Sequence, residues 1–162
     1  MKNFEKIMCV LTVCWMIVIF MFSAEPDVES SELSGGVSYR LISIVNTMTG
    51  QHWDETEKLQ KAALIEHPVR KAAHMSEYAV LTLLVYGTVA SRKGKKKFAI
   101  PIAVTFLYAC TDEFHQLFVP GRSGQFTDVL IDTSGGLVML IFILVAVSIN
   151  KKYNCFIKKR KR

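Results

Sequence analysis

Ionisable and polar side chains are concentrated in one stretch of this sequence, from Tyr108 to Asp132, where one apolar segment ends and the next begins. Charged groups are costly to desolvate near a membrane interior, so a cluster of them there is a candidate functional site. Carboxyl groups beside imidazoles can transfer protons, and cations near helix N-termini can hold an anion. The candidate residues in this stretch are Asp112, Glu113, His115, Gln116, Arg122, Asp128 and Asp132.

A second group of polar residues opens the preceding apolar segment. Arg70 and Lys71 come first, and His74 and Glu77 follow at positions i and i+3, on one face of a helix. Together with Arg122, the two cations can hold a phosphate or carboxylate group. The sequence therefore predicts an anion site where these segments meet.

Proton chemistry is the other possibility. Asp112, His115 and Gln116 lie at i, i+3 and i+4 and share a helical face, from which Glu113 is rotated by about 100°. Partial burial moves the pKa values of such groups toward neutrality, which suits acid–base work. The acid–base candidates are Asp112, His115, Glu77 and Asp132. No metal is predicted, because the sequence has no HExxH or CxxC spacing.

The same residues also fit a purely structural interpretation. In it, polar side chains hold three helices together by satisfying one another, as His74, Glu77, Asp112 and His115 would. Asp132 lies one turn inside an apolar helix and needs a partner, for which Arg122 and His74 are expected. Glu113 and Asp128 would then be solvated at the membrane surface.

Membrane helices are the elements predicted to position these residues. The chain has 162 residues, of which 51% are hydrophobic, and its mean hydropathy is +0.27. A span requires about 20 apolar residues. The candidate spans are Ile7–Ser23, Ala72–Ala90, Phe98–Val119 and Val129–Ile149. We therefore expect an all-α fold in the cell membrane, a multi-pass bundle of four helices over residues 1–150.

Most lysine and arginine residues lie at the span ends that face the same side of the membrane. They precede the first span, fill the loop 91–97 and form a basic tail, 151–162, whereas the loop 118–127 contains only Arg122. The positive-inside rule then places both termini in the cytoplasm and the candidate residues at the outer ends of their helices. The net charge of +6 thus reflects topology, and nucleic acid is not an expected partner.

Residues 24–71 form the external loop in this topology. Asp27–Gly36 is acidic and rich in Ser and Gly, which indicates a flexible exit from the first span. Val37–Met48 has apolar residues at helical spacing, and Asp54 can cap a second helix that ends at Pro68. We expect two helices near the membrane surface, either packing over the spans or covering the site as a lid.

Four segments of the chain resemble the VanZ-like membrane proteins. They are W-M-I-V-I-F-M-F-S, R-K-A-A-H-M-S-E-Y, D-E-F-H-Q-L-F-V-P-G-R and D-V-L-I-D-T-S-G-G. The resemblance covers nearly the whole chain outside the external loop and the basic tail. Carried over by position, the family's motif residues are Arg70, Lys71, His74, Glu77, Tyr78, Asp112, Glu113, His115, Gln116, Pro120, Gly121, Arg122, Asp128 and Asp132.

The resemblance implies a link to the cell envelope, because VanZ-like proteins are in some cases associated with teicoplanin resistance in Gram-positive bacteria. We hold three hypotheses. The protein protects the surface through a polar extracytoplasmic site, or it is an enzyme acting on an anionic lipid or lipid-linked cell-wall intermediate. A solute transporter is the weakest, because the cytoplasmic half of the spans is apolar. The expected partners are the lipid bilayer and such a lipid, and the sequence assigns no cofactor.

Overall fold

Five α-helices make up the protein in a computed structural model, which describes residues 2–160. The expected all-α fold is confirmed. Lys161 and Arg162, the end of the predicted basic tail, lie outside the described residues, and the rest of that tail continues the last helix. The helices are α1 (Lys2–Ser23), α2 (Asp27–Thr49), α3 (Glu55–Thr88), α4 (Lys96–Gln116) and α5 (Phe126–Arg160).

Two of these helices are long and apolar enough to cross a membrane. They are α1 and the segment Phe126–Asn154 of α5, with mean hydropathies of 2.2 and 2.3. Helix α3 carries charged candidate residues near its middle and α4 carries them at its end, and neither helix is in this group. Length and composition thus support membrane association, while the expectation of four spans stays a prediction.

Helix α3 lies at the centre, because it packs against each of the other four helices. The direction of the neighbouring helices follows from bonds at their ends. Near the start of α1, the Glu5 side chain accepts a hydrogen bond from the Ser91 backbone at 3.2 Å, just beyond the end of α3. At the other end of α1, Gln116 of α4 donates to Ser23 at 3.0 Å. Helices α1 and α3 are therefore antiparallel, and α4 runs in the same direction as α1.

The core forms where apolar residues at helical spacing on α3 meet the other helices. Tyr78, Leu81 and Val85 share a face of α3 and are buried against Ile19 of α1 and Ala109 of α4. Burial of such side chains contributes about 1.5–3 kcal/mol each. This packing fixes the rotation of α3, and with it the direction in which its polar residues point.

Close contact between α3 and α5 depends on Gly135. A Cβ atom built there would lie 2.0 Å from the Met75 carbonyl oxygen of α3. The absence of a side chain lets the two backbones touch. The approach brings the first turns of α5 against the polar turn of α3.

The prediction of a flexible exit at Asp27–Gly36 is wrong, because this stretch is the first half of α2. Small residues in it allow close packing on α3. The hydroxyl groups of Ser34 and Ser38 are buried and donate to carbonyl oxygens one turn earlier, at 2.9 and 2.8 Å. Tertiary contact here overrides the low helix propensity of Ser and Gly.

The predicted helix end at Pro68 is also wrong, although the predicted cap at Asp54 is confirmed and takes the form of a capping box with Glu57. Helix α3 continues through Pro68 without interruption. Proline removes one backbone hydrogen bond and crowds the preceding turn. Arg70 offsets this loss by binding Glu66 across the proline at 2.8 Å and by contacting α2, so side-chain bonds hold the helix together there.

We expect Gly135→Ala to destabilise the protein by about 1–3 kcal/mol, since the new methyl group must push α5 away from α3. Thermal unfolding in detergent measures this loss. Gly36→Ala is the matched control, because nothing lies within 4 Å of its Cβ position and alanine stabilises a helix by about 0.5–1 kcal/mol over glycine. Equal melting temperatures for the two variants would contradict the close contact.

Candidate functional site

A polar cavity of about 330 Å³ lies at the end of the bundle where α3 and α5 begin their apolar portions and α4 ends. Its walls come from α3, from the last turn of α4, from the turn between α4 and α5, from the first turns of α5 and from the start of α2. The lining residues are Asp27, His67, Arg70, Lys71, His74, Glu113, Gln116, Gly121, Arg122, Ser123, Gln125, Asp128, Ile131 and Asp132.

Every residue that the sequence marked for ligand binding lines this cavity. These are Arg70, Lys71, His74, Glu113, Gln116, Arg122 and Asp128. Of the acid–base candidates, Asp132 lines it, whereas Glu77, Asp112 and His115 do not. The structure thus brings the predicted anion-binding residues together and leaves the predicted acid–base pair outside the wall. The chemical roles of all these residues stay predictions.

Two of the three cations in the wall are already paired. The Arg70 guanidinium donates to the Asp27 carboxylate at 2.5 Å and to the Ser31 hydroxyl at 2.5 Å, besides Glu66. Lys71 forms an ion pair with Asp128 at the start of α5. These pairs join α3 to α2 on one side and to α5 on the other, so they build the walls of the cavity.

Of the three cations in the cavity wall, Arg122 is the one that forms no ion pair with a carboxylate among the described residues. Its Nε donates to the Glu25 carbonyl at 2.9 Å and one Nη donates to the Phe22 carbonyl at 3.3 Å, at the end of α1. Burial lowers the pKa of the Arg122 guanidinium below its ordinary value, and the charge of Arg70 adds to that effect. Arginine stays protonated nonetheless, so the cavity contains a guanidinium charge that forms no ion pair, although the charges of Asp27, Asp112 and Glu25 favour it from a greater distance.

The turn that carries Arg122 has a backbone suited to glycine. Gly121 has a φ of 78°, a left-handed conformation that glycine adopts without strain. Its preceding residue, Pro120, accepts a hydrogen bond from the Asp27 backbone at 3.3 Å. The turn therefore fixes Arg122 against the end of α1 and the start of α2.

Two buried carboxyl groups complete the wall. Glu113 is 6% exposed and accepts a hydrogen bond from the Gln125 backbone at 2.9 Å. Asp132 is 3% exposed, and within the described part of the chain it forms neither a hydrogen bond nor an ion pair with another side chain. The expected contacts of Asp132 with Arg122 or His74 are therefore not formed.

Asp112 lies deeper, in the interior of the bundle. Its Oδ2 accepts hydrogen bonds from the Tyr78 hydroxyl at 3.0 Å and from Gln116 at 3.5 Å. Gln116 also donates to Ser23, so these four residues join α1, α3 and α4. The contacts of Asp112 fit the structural interpretation of the cluster better than direct contact with a ligand.

The other proposed members of a polar network are only partly connected. His74 Nδ1 lies 3.6 Å from Glu77 Oε2, which is a contact within one turn of α3. His115 packs its ring against Phe20 of α1, with 4.4 Å between centroids, and its buried Nε2 has no hydrogen-bond partner. Across residues 2–160, no group of three His, Cys, Asp or Glu side chains is arranged to hold a metal ion.

Asp27 and Gln125 are site residues that the sequence interpretation missed. Asp27 was assigned to a flexible stretch, yet it binds Arg70 and starts α2 directly after Pro26. Its position in the first turn of a helix, where an acid is favoured, was the available signal. The backbone N–H of Gln125 that binds Glu113 leaves no mark in the sequence.

We expect Asp112→Ala to destabilise the protein by about 1–3 kcal/mol, because the fully buried Tyr78 hydroxyl would lose its acceptor. Asp112→Asn keeps an oxygen at that position and is expected to lose less. Thermal unfolding of both variants in detergent measures the difference. Wild-type stability of Asp112→Ala would show that this hydrogen bond is not part of the core.

Comparison with curated proteins and with solved structures gives no match. The family model described as VanZ/LLP1, in contrast, matches residues 8–147. That range includes the whole cavity wall and extends from the first turns of α1 through most of α5. The chain therefore belongs to the VanZ-like family, as the motifs around Arg70, Asp112 and Asp128 had indicated.

Proposed function

We propose that this protein crosses the membrane four times and binds an anionic group of a lipid or lipid-linked envelope molecule at its extracytoplasmic face. The binding site is the polar cavity, and the bound group is a phosphate or carboxylate. Binding there changes how teicoplanin, the glycopeptide associated with some VanZ-like proteins, reaches its lipid-linked target. The proposal thus adds a binding site and a ligand class to the family assignment.

The antiparallel order of the helices supports the orientation. The ends of α1 and α4 and the starts of the apolar parts of α3 and α5 meet at the cavity. The opposite end carries the basic loop 91–97 and the basic tail, and the cavity end has Arg122 in its connecting turn. Under the positive-inside rule, the cavity end faces outward.

The observation that carries the proposal is that Arg122 lines the cavity and forms no ion pair among the described residues. Its Nη1 has no hydrogen-bond partner among the described residues, and the side chain lines the cavity beside Arg70 and Lys71. A guanidinium group with free donors matches the oxygen atoms of a phosphate or carboxylate. An anion there would compensate a charge that burial now disfavours.

A membrane enzyme acting by acid–base chemistry on the same ligand class is the second candidate. It is favoured by the carboxyl groups of Glu113 and Asp132, which line the cavity without a cationic partner. General acid–base catalysis requires a group within hydrogen-bond reach of the reacting atom. Conversion of a bound lipid into a product that mass spectrometry detects would distinguish this candidate from binding alone.

The topology predicts opposite accessibility for two connecting segments. In a variant without native cysteines, Ser123→Cys should react with a membrane-impermeant maleimide in intact cells, because it lies in the exposed turn between α4 and α5. Ser91→Cys, after α3, should react only once the membrane is permeabilised. Labelling of both or of neither in intact cells would contradict four spans with the cavity outside.

The anion site predicts that Arg122→Gln weakens binding of phosphatidic acid by about tenfold, since a hydrogen bond to a charged group contributes about 1.5–3 kcal/mol. Native mass spectrometry of the purified protein with equal amounts of phosphatidic acid and phosphatidylcholine measures the preference. Arg40→Gln is the matched control, because Arg40 is exposed on α2 and lies outside the cavity wall.

The teicoplanin susceptibility of cells is a second measurement on the same variants. At matched membrane levels, the wild type and Arg40→Gln should raise the teicoplanin concentration that inhibits a sensitive Gram-positive host, and Arg122→Gln should not. Arg122→Lys, which keeps the charge but not the bidentate geometry, should lie between them. Equal phosphatidic acid preference in wild type and Arg122→Gln would refute the assignment of the anion site.

A further inference from the structure

A second cavity, of about 210 Å³, adjoins the polar cavity between the end of α1, helix α2 and helix α3. Much of its wall is apolar, formed by Phe22, Leu33, Val37, Val69 and Ala73. Apolar surface of this kind favours a hydrocarbon group over water or a polar ligand. The proposed function, which concerns the polar cavity, gives this space no role.

The two cavities share three wall residues, namely Arg70, His74 and Arg122. Arg122 therefore stands at the boundary between a polar compartment and an apolar one. An anion at its guanidinium can extend a second, apolar part of the same molecule past the boundary. Both parts of the ligand would then stay in contact with the protein.

The apolar cavity also lies at the level where a lipid chain would begin. Phe22 is the penultimate residue of α1, which is one of the two candidate membrane helices. Leu33 and Val37 line the cavity yet remain 59% and 49% exposed, so the wall is open to the side along α2. A bilayer lipid needs such a lateral opening to enter without leaving the membrane surface.

The apolar wall gives the ligand one orientation. Carboxyl groups line both cavities, for example Glu25 and Glu77 in the apolar one and Glu113 and Asp132 in the polar one, so their charges do not choose between the two. The five apolar wall residues belong to the second cavity alone, and a hydrocarbon chain is favoured there. The phosphate is therefore placed at Arg122 on the polar side and the chain on the apolar side.

We propose that the ligand is an amphiphile, a lipid phosphate whose headgroup binds at Arg122 in the polar cavity and whose hydrocarbon chain occupies the adjoining apolar cavity. This inference rests on the proposed function and narrows its ligand class to a lipid phosphate with a hydrocarbon chain. A soluble phosphate is a poor ligand under this arrangement, because it gains nothing from the apolar wall.

The test fills the apolar cavity without touching the polar one. Ala73→Phe places a ring in the apolar cavity, and Ala72→Phe is its matched control, because Ala72 is the preceding exposed residue of α3 and lines neither cavity. On the opposite wall, Val37→Phe and the control Leu41→Phe repeat the comparison on α2. Native mass spectrometry measures phosphatidic acid binding in competition with phosphatidylcholine, and glycerol phosphate and inorganic phosphate are added as competitors.

We expect the two cavity variants to bind phosphatidic acid about tenfold more weakly, with both controls unchanged and the soluble phosphates unable to compete at equal concentration. Unchanged binding in the folded cavity variants would overturn the chain position while leaving the anion site at Arg122 intact. Effective competition by glycerol phosphate would overturn it too, because the headgroup alone would then suffice. Absence of any preference for phosphatidic acid in the wild type would remove both proposals.

Discussion

Two consecutive cations on α3 hold the polar end of the molecule together. Arg70 binds Asp27 and so fixes α2, while Lys71, rotated by about 100° on the same helix, binds Asp128 and fixes the start of α5. These two contacts leave α3 in different directions and hold α2 and α5 at two sides of the cavity. Since α3 also packs against every other helix, its rotation sets the position of each wall.

The same wall contains cations of two kinds. Arg70 and Lys71 form ion pairs with carboxylates of neighbouring helices, and these pairs join α3 to α2 and to α5. Arg122 donates only to backbone carbonyl groups, which orient the guanidinium but carry no net negative charge. Arg122 is therefore held in one position while part of its hydrogen-bonding capacity stays unused within the described residues.

The sequence predicted well which residues come together at the site, and it predicted poorly which side chains contact one another there. Apolar segments with polar ends are enough to bring Arg122, Glu113 and Asp128 to one end of a bundle, and the cavity wall agrees. Helical spacing gives the relative direction of Asp112 and His115 but not their neighbours, which here are Tyr78 and Phe20. Such neighbours depend on helix rotation, which packing between distant segments decides. The same tertiary contacts explain why the helix predicted at Val37–Met48 begins earlier, at Asp27, and why the passage through Pro68 was not foreseen.

The continuity of α3 also determines how firmly α2 is held. A helix of 34 residues is about 50 Å long at 1.5 Å per residue. It therefore acts as one rigid support, to which Arg70 ties α2 through Asp27 and Ser31. A displacement of α2 away from the cavity must break these bonds, so the part of the wall that α2 forms is coupled to α3.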